Sequence, residues 1–139
     1  MKKDVYISIK GSQDYGDNQD GMELTTAGKF YDKDGKLYLT YTEGEFSGMD
    51  KCTTTLKIAP DGIVTMMRHG QTNTHMIFEK DKCHIGHYET PYGDFTISVT
   101  AKNINVSLNE NGGNIDIDYI MDINNTARSL NGISLTVRA

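Results

Sequence analysis

Cysteine is scarce in this 139-residue chain, which has only Cys52 and Cys83. No set of cysteines and histidines has the spacing of a zinc site, which excludes a structural zinc module. Long apolar runs are absent as well. The opening stretch MKKDVYISIKGSQDYG alternates polar and apolar residues, so we expect neither an export signal nor a membrane-spanning segment. These absences predict a cytoplasmic protein in which both cysteines are reduced thiols.

Basic charge is also limited. The chain has 14 Lys and Arg against 19 Asp and Glu, a formal net charge of −5, and no stretch gathers the cations. Proteins that bind nucleic acid or anionic membranes need a basic patch, so we expect neither partner. The length suits a single domain over residues 1–139 and is too short for two comfortable ones.

Helical periodicity is absent, and apolar and polar residues alternate instead. Gly, Asn, Asp or Pro interrupts the alternation about every eight to twelve residues, which is typical of an all-β sandwich or barrel. We expect about ten strands. They are predicted over 4–10, 21–32, 36–46, 51–59, 63–69, 74–80, 83–90, 94–101, 103–110 and 113–123, with a further strand over 127–138.

The turns predict the strand registers, and the registers indicate which side chains face the core. Asp34-Gly35 and Asn111-Gly112 fit two-residue hairpin turns, while Gly62 fits the left-handed position of a three-residue loop. A three-residue loop is also expected over 71–73. It places His69 opposite His75 on the outer face without a third ligand, which favours surface imidazoles over a metal site. The other predicted pairs are Phe30 with Leu39, Gly28 with Tyr41, Thr26 with Glu43, Ile58 with Val64, Leu56 with Met66, Thr54 with Arg68, Leu108 with Ile115, Val106 with Ile117, Ile104 with Tyr119, Met66 with Phe78 and Arg68 with Met76.

The sequence Arg68-His69-Gly70 resembles the phosphate-binding motif of the histidine phosphatases. Adjacent residues on a strand point to opposite faces, so Arg68 and His69 are expected on different sides of the sheet. The motif also lies inside a run of strands rather than at a strand-to-helix junction, and three residues are a weak signal. No nucleophile has an adjacent base elsewhere, which favours a protein without catalytic residues or a cofactor.

Polar residues are predicted inside an otherwise apolar core. The inward positions include Arg68, and a lone buried guanidinium costs several kcal/mol, so it needs an anionic partner or water. Three interpretations remain open: an internal ion pair with Glu43, a side chain that reaches solvent at the strand end, or an anchor for the carboxylate or phosphate of a ligand. The polar inward set consists of Tyr41, Glu43, Thr54, Arg68 and Tyr119.

The segment TPYGD, residues 90–94, has two interpretations. Pro91 and Gly93 are what a tight turn requires, so hairpin chemistry alone explains them. The alternative is a polar rim through which a ligand reaches the interior, formed by Tyr88, Glu89, Thr90 and Tyr92.

Several segments together resemble a known family. They are the Arg68-His69-Gly70 motif, HMIFEKDK, YETPYGDFTISVT and IDIDYIMDI, with ISIKGSQ and ELTTAGKFY near the start. The chain is similar over nearly its whole length to the YwiB-like family of small bacterial proteins of unknown function. The resemblance implies a single antiparallel up-and-down β-barrel of the calycin type, similar to lipocalins and fatty-acid-binding proteins, with no established activity. The C-terminal strand departs from this resemblance, because the Asn131-Gly132 step needs a bulge before Ile133, Leu135 and Val137 can face the core.

Two functions are compatible with this barrel. The first is the binding of a small amphipathic or anionic molecule in the interior, where the expected contacts are Arg68, Glu43, Tyr41, Thr54, Tyr119, Tyr88 and Thr90. The second is a protein-interaction or assembly module, a homodimer included, that uses Tyr6, Tyr31 and Tyr38 on the outer face and has a filled interior.

Overall fold

The protein forms a closed antiparallel β-barrel. The computed structural model describes residues 2–14, 19–43, 52–70, 73–90, 93–109, 111–123 and 127–138. Neighbouring strands in the chain are neighbours in the sheet, and β10 pairs with β1 to close the barrel, which confirms the predicted up-and-down fold. The ten strands are β1 Lys2–Asp14, β2 Gln19–Lys33, β3 Lys36–Glu43, β4 Cys52–Ile58, β5 Val64–Gly70, β6 Asn73–Phe78, β7 Cys83–Thr90, β8 Gly93–Asn109, β9 Gly112–Ile123 and β10 Ala127–Arg138.

The core lies inside the barrel and follows from the period of two along each strand. In β9, for example, Ile115, Ile117 and Tyr119 are buried while Asp116 and Asp118 are exposed. Removing each aliphatic side chain from water stabilises the fold by roughly 1.5–3 kcal/mol. In the described ranges, no helix is long and apolar enough to cross a membrane.

The segment predicted as two strands, 94–101 and 103–110, is the single strand β8. Its register shifts at Lys102, a bulge that leaves one extra residue on this strand. The bulge changes which positions face inward: they are Ile97, Val99 and Ala101 before it, and Ile104, Val106 and Leu108 after it.

The predicted register of β8 with β9 is wrong by two residues. The ladder extends to a pair between Asn109 and Gly112. Gly112 and Gly113 make this possible because they adopt φ of 113° and 146°, where side chains are rarely tolerated. An even shift preserves the faces, so the predicted inward side chains of β9 do face the core. The observed pairs are Leu108 with Gly113, Val106 with Ile115, Ile104 with Ile117 and Ala101 with Tyr119.

The predicted register of β5 with β6 is also wrong by two residues. Gly70, at φ 152°, has no partner among the described pairs in the ladder of β5 with β6. Its N–H donates to Asn73 Oδ1 at 3.3 Å. Arg68 with Thr74 is the last described pair of this ladder, so His69 does not face His75, and residues 71–72 of the predicted loop lie outside the described residues. His75 instead lies opposite Met67 on β5 and opposite His87 on β7. The remaining pairs are Val64 with Phe78, Met66 with Met76 and Arg68 with Thr74.

The bulge predicted in β10 is absent from its described pairs, which keep one register with both neighbours. The reason is that Ser129 and Asn131 themselves occupy inward, buried positions. The Asn131 side-chain amide donates to the backbone oxygen and Oγ of Ser129 at 3.3 and 3.0 Å. Unbroken alternation then turns Ile133, Leu135 and Val137 inward as well.

The connection between β6 and β7 is held by a small ionic network. Glu79 accepts a hydrogen bond from His84 Nε2 at 2.9 Å and pairs with Lys82 Nζ at 3.2 Å. The hydrogen bond from His84, followed by that from Lys82, lowers the pKa of Glu79 below its ordinary value of 4.5. The N–H of Asp81 donates to the carbonyl of Ala101 at 2.8 Å, which fastens this connection to β8.

Gly113→Ala should lower the free energy of unfolding by about 1–3 kcal/mol, the usual cost of a non-glycine residue in a sparsely populated backbone region. A Cβ at this position would also overlap the carbonyl oxygen of Ser107. Gly11→Ala is the control, because a Cβ added at Gly11 would lie 3.9 Å from its nearest neighbouring atom, the backbone oxygen of Gly132. Urea denaturation followed by circular dichroism measures both, and equal stabilities of the two variants would contradict the register given for β9.

Glu79→Gln should remove part of the acid sensitivity of the fold. Because the pKa of Glu79 is lowered by folding, its carboxylate stabilises the native state above pH 4.5. That contribution disappears as the pH falls through the lowered value. Thermal unfolding midpoints measured from above pH 4.5 to below the lowered pKa should depend less on pH in Glu79→Gln than in the wild type. Glu23→Gln, on the exposed face of β2, is the control, and an unchanged pH profile in Glu79→Gln would contradict the network.

Candidate functional site

A cavity of about 590 Å³ lies inside the barrel, at the end where β1, β3, β5, β7 and β9 finish. The opposite end is filled by buried side chains such as Phe30, Leu39 and Val64. Tyr119 separates the two regions: it lines the cavity, and its ring meets Phe78 edge-on with centroids 4.8 Å apart. Among the described residues, side chains fill the interior at one end and line a cavity at the other.

The cavity wall is mostly apolar on the side formed by β8, β9, β10 and β1, where Ser12, Tyr119 and Asn131 are the polar lining residues among those described. Strands β8, β9, β10 and β1 contribute Phe95, Ile97, Met121, Ile123, Ile133 and Ile9. Glycines at positions 11, 21 and 132 also line it, and they keep this part of the wall free of bulky side chains.

The other side of the barrel carries the charged group and a row of hydroxyls. Five residues on consecutive strands lie directly opposite one another in the ladders, each facing inward, and we call them the polar row: Tyr41, Thr54, Arg68, Thr74 and Tyr88. Directly opposite residues have Cβ atoms about 4.5–5.5 Å apart, so neighbouring side chains in the row lie within reach of one another. The row continues to Phe95 on β8, where the apolar side begins.

Arg68 is the central cation of the polar row. Its side chain is half-buried and lines the cavity, and its Nε donates to Thr54 Oγ1 at 3.4 Å. Thr54 is fully buried behind it. The neighbouring His69 is exposed on the outer face. The two residues of the phosphatase-like motif therefore lie on opposite sides of the sheet, and the structure does not bring them together.

Thr74 is the residue that sequence reasoning missed. It lies between Arg68 and Tyr88 in the row, is only 6% exposed, and lines the cavity. Its Oγ1 is buried without a hydrogen-bond partner. Such a group costs about 1–3 kcal/mol, so it is rarely left in place. The expected register had put Met76 opposite Arg68; the signal for the correct one is Gly70 at the end of β5.

The other predicted contacts are distributed differently. Tyr119 lines the cavity across the barrel on β9, where it lies opposite the buried Asn131 of β10. The backbones of Glu43 and Thr90 end β3 and β7. Their side chains lie outside the described residues, so the predicted pairing of Glu43 with Arg68 stays a prediction.

The described lining of the cavity combines one cation with hydroxyl groups. Arg68 is the one charged side chain among its described lining residues, and it is flanked by hydroxyl groups. A guanidinium offers five N–H donors and no acceptor, so it binds carboxylates and other oxyanions. The arrangement suits a ligand that has an anionic group at one end and apolar surface over the rest.

Thr74→Val should raise the free energy of unfolding by about 1 kcal/mol, because it removes an unpartnered buried hydroxyl and keeps the branched shape. Thr54→Val is the matched variant in the same row. Its hydroxyl accepts a hydrogen bond from Arg68, so its loss should lower the free energy of unfolding by a similar amount, about 1 kcal/mol. Chemical denaturation of the ligand-free protein measures both. Equal destabilisation by the two substitutions would show that Thr74 has a partner.

Comparisons with known proteins agree with the barrel fold. The chain is 29% identical over 138 residues to the "Uncharacterized beta-barrel protein YwiB" of Bacillus subtilis (strain 168), which covers 98% of this chain and 95% of that protein. The crystal structure of ywiB protein from Bacillus subtilis matches with a TM-score of 0.84 at 24% identity, over 99% of this chain and 92% of that one. The fold is thus shared. The family model "Domain of unknown function (DUF1934)" matches residues 7–135, and the protein belongs to this family.

Proposed function

We propose that this protein binds a small amphipathic or anionic molecule inside the barrel. The observation that carries the proposal is the cavity of about 590 Å³, whose wall combines one guanidinium and several hydroxyls with an apolar face. Ligand sites of proteins are commonly clefts of about 300–1,000 Å³ with a mostly apolar lining and a few polar groups that orient the ligand. The cavity has this size and composition.

The methionines of the cavity wall favour a ligand with a flexible or irregular body. Met66, Met76 and Met121 all line the cavity. Methionine side chains are unbranched and polarisable, so they adapt to ligands of different shape. This use of the interior agrees with the calycin-type likeness, in which the barrel itself is the container.

The alternative, an assembly module that uses the outer face, has less support. The rings of Tyr31 and Tyr38 stack on one another with centroids 4.8 Å apart and an angle of 6°. Each ring therefore covers the other within one chain. The most exposed large apolar residues, Tyr6, Ile85 and Leu130, are on three separate strands and form no common patch in the part of the chain that the structure describes.

A cytoplasmic location is part of the proposal. Cys83 is a free thiol on the surface, and exposed thiols of this kind persist in a reducing compartment.

The proposal is tested with the fluorescent anionic amphiphile 8-anilinonaphthalene-1-sulfonate, which is excited at its own absorption band and not by energy transfer from the protein. We expect a saturable increase in emission with one site per chain. Met121→Trp places a larger ring in the cavity and should weaken binding about tenfold or more.

Met67→Trp is the control, because Met67 is half-buried on β5 and does not line the cavity. It should leave the affinity unchanged. Binding that does not saturate, or that both variants weaken equally, would indicate adsorption to the outer surface and contradict the proposal.

A further inference from the structure

The unpartnered hydroxyl of Thr74 points to the chemistry of the ligand. The side chain is more than nine-tenths buried, lines the cavity, and has no hydrogen-bond partner at Oγ1. A buried hydroxyl in a ligand-free site gains a partner when a ligand supplies one. The ligand group that forms a hydrogen bond with Thr74 Oγ1 must therefore lie in the cavity beside β6.

The neighbours of Thr74 define that group further. Arg68 lies opposite it on β5, and Tyr88 lies opposite it on β7. A guanidinium can only donate hydrogen bonds, while the two hydroxyls can donate as well as accept. Three donors on adjacent strands thus face one region of the cavity. The complementary group is an acceptor with at least two oxygen atoms and a negative charge.

The charge of the wall selects among oxyanions. Arg68 is the only cation among the described residues that line the cavity, and no carboxylate lines it there. Removing a dianion from water costs more free energy than removing a monoanion, so an enclosed and mostly apolar cavity favours the monoanion. A planar carboxylate also matches the fork of a guanidinium with two parallel hydrogen bonds. These arguments favour a carboxylate over a phosphate monoester.

We propose that Arg68, Thr74 and Tyr88 form a carboxylate subsite, and that the ligand is an amphipathic monocarboxylic acid. This inference rests on the proposed function. The carboxylate binds on the β5–β7 side, and the apolar body lies across the cavity against the wall of β8, β9, β10 and β1, where Ile97 and Ile133 contribute.

Isothermal titration with three ligands of the same chain length tests the subsite: decanoate, decyl phosphate and 1-decanol. The wild type should bind decanoate about tenfold more tightly than either of the others. Thr74→Val should weaken the binding of decanoate about tenfold, since it removes a hydrogen bond to a charged group. It should leave the affinity for decanol unchanged.

Three further variants separate the subsite from a general effect on the fold. Thr74→Ser keeps the hydroxyl and should keep most of the preference for decanoate. Arg68→Met should abolish the preference. Thr136→Val, at an exposed position of β10, should leave the affinities for all three ligands unchanged. Because Thr74→Val removes a destabilising group, it is expected to fold even where Arg68→Met does not.

The outcomes distinguish the two proposals. Equal affinities of the wild type for decanoate and decanol, or a preference for decanoate that survives Thr74→Val, would overturn the carboxylate subsite and leave the cavity as a site for neutral ligands. Tighter binding of decyl phosphate would overturn it in favour of a dianion. If none of the three binds and the anilinonaphthalene probe does not saturate, the proposed function fails together with the subsite.

Discussion

Closure of the sheet is the constraint on which the rest of the structure depends. β1 pairs with β2 on one side and β10 on the other, so each described strand has two neighbours. A barrel of about eight strands is just wide enough for its own side chains to fill, and the diameter grows with strand number. Ten strands enclose more space, which large side chains such as Phe30 and Phe78 occupy at one end only. The cavity at the other end follows from this geometry.

Closure also explains how a cation and several hydroxyls come together. Residues far apart in sequence, from Tyr41 to Tyr88, become direct neighbours because each strand pairs in register with the next. The polar row is thus held by backbone hydrogen bonds and not by a mobile loop. Rigid elements position a binding group more accurately than loops do. Thr74 is the one described side chain with a buried oxygen that lacks a hydrogen-bond partner, and the proposed ligand supplies that partner.

Much of the barrel could be predicted from the sequence, but its registers only in part. Alternation indicated the strands and the inward position of Arg68, and the loop closed by Gly62 set the pairing of Thr54 with Arg68 that is observed. The two wrong registers both involve glycines that leave or join a ladder at positive φ, Gly70 in one and the Gly112–Gly113 pair in the other. A shift of two residues keeps the faces and changes the neighbours. Inward residues were therefore predictable, whereas the pairing of Arg68 with Thr74 was not.

The central claim is that the polar row binds an anionic ligand inside the barrel. Native mass spectrometry tests it most directly, on wild-type protein and Arg68→Met purified in parallel and then incubated with excess decanoate. The account predicts one adduct per wild-type chain with the mass of a carboxylic acid, lost on denaturation and absent from the variant. A wild-type chain without any adduct, or the same adduct retained by folded Arg68→Met, would contradict it.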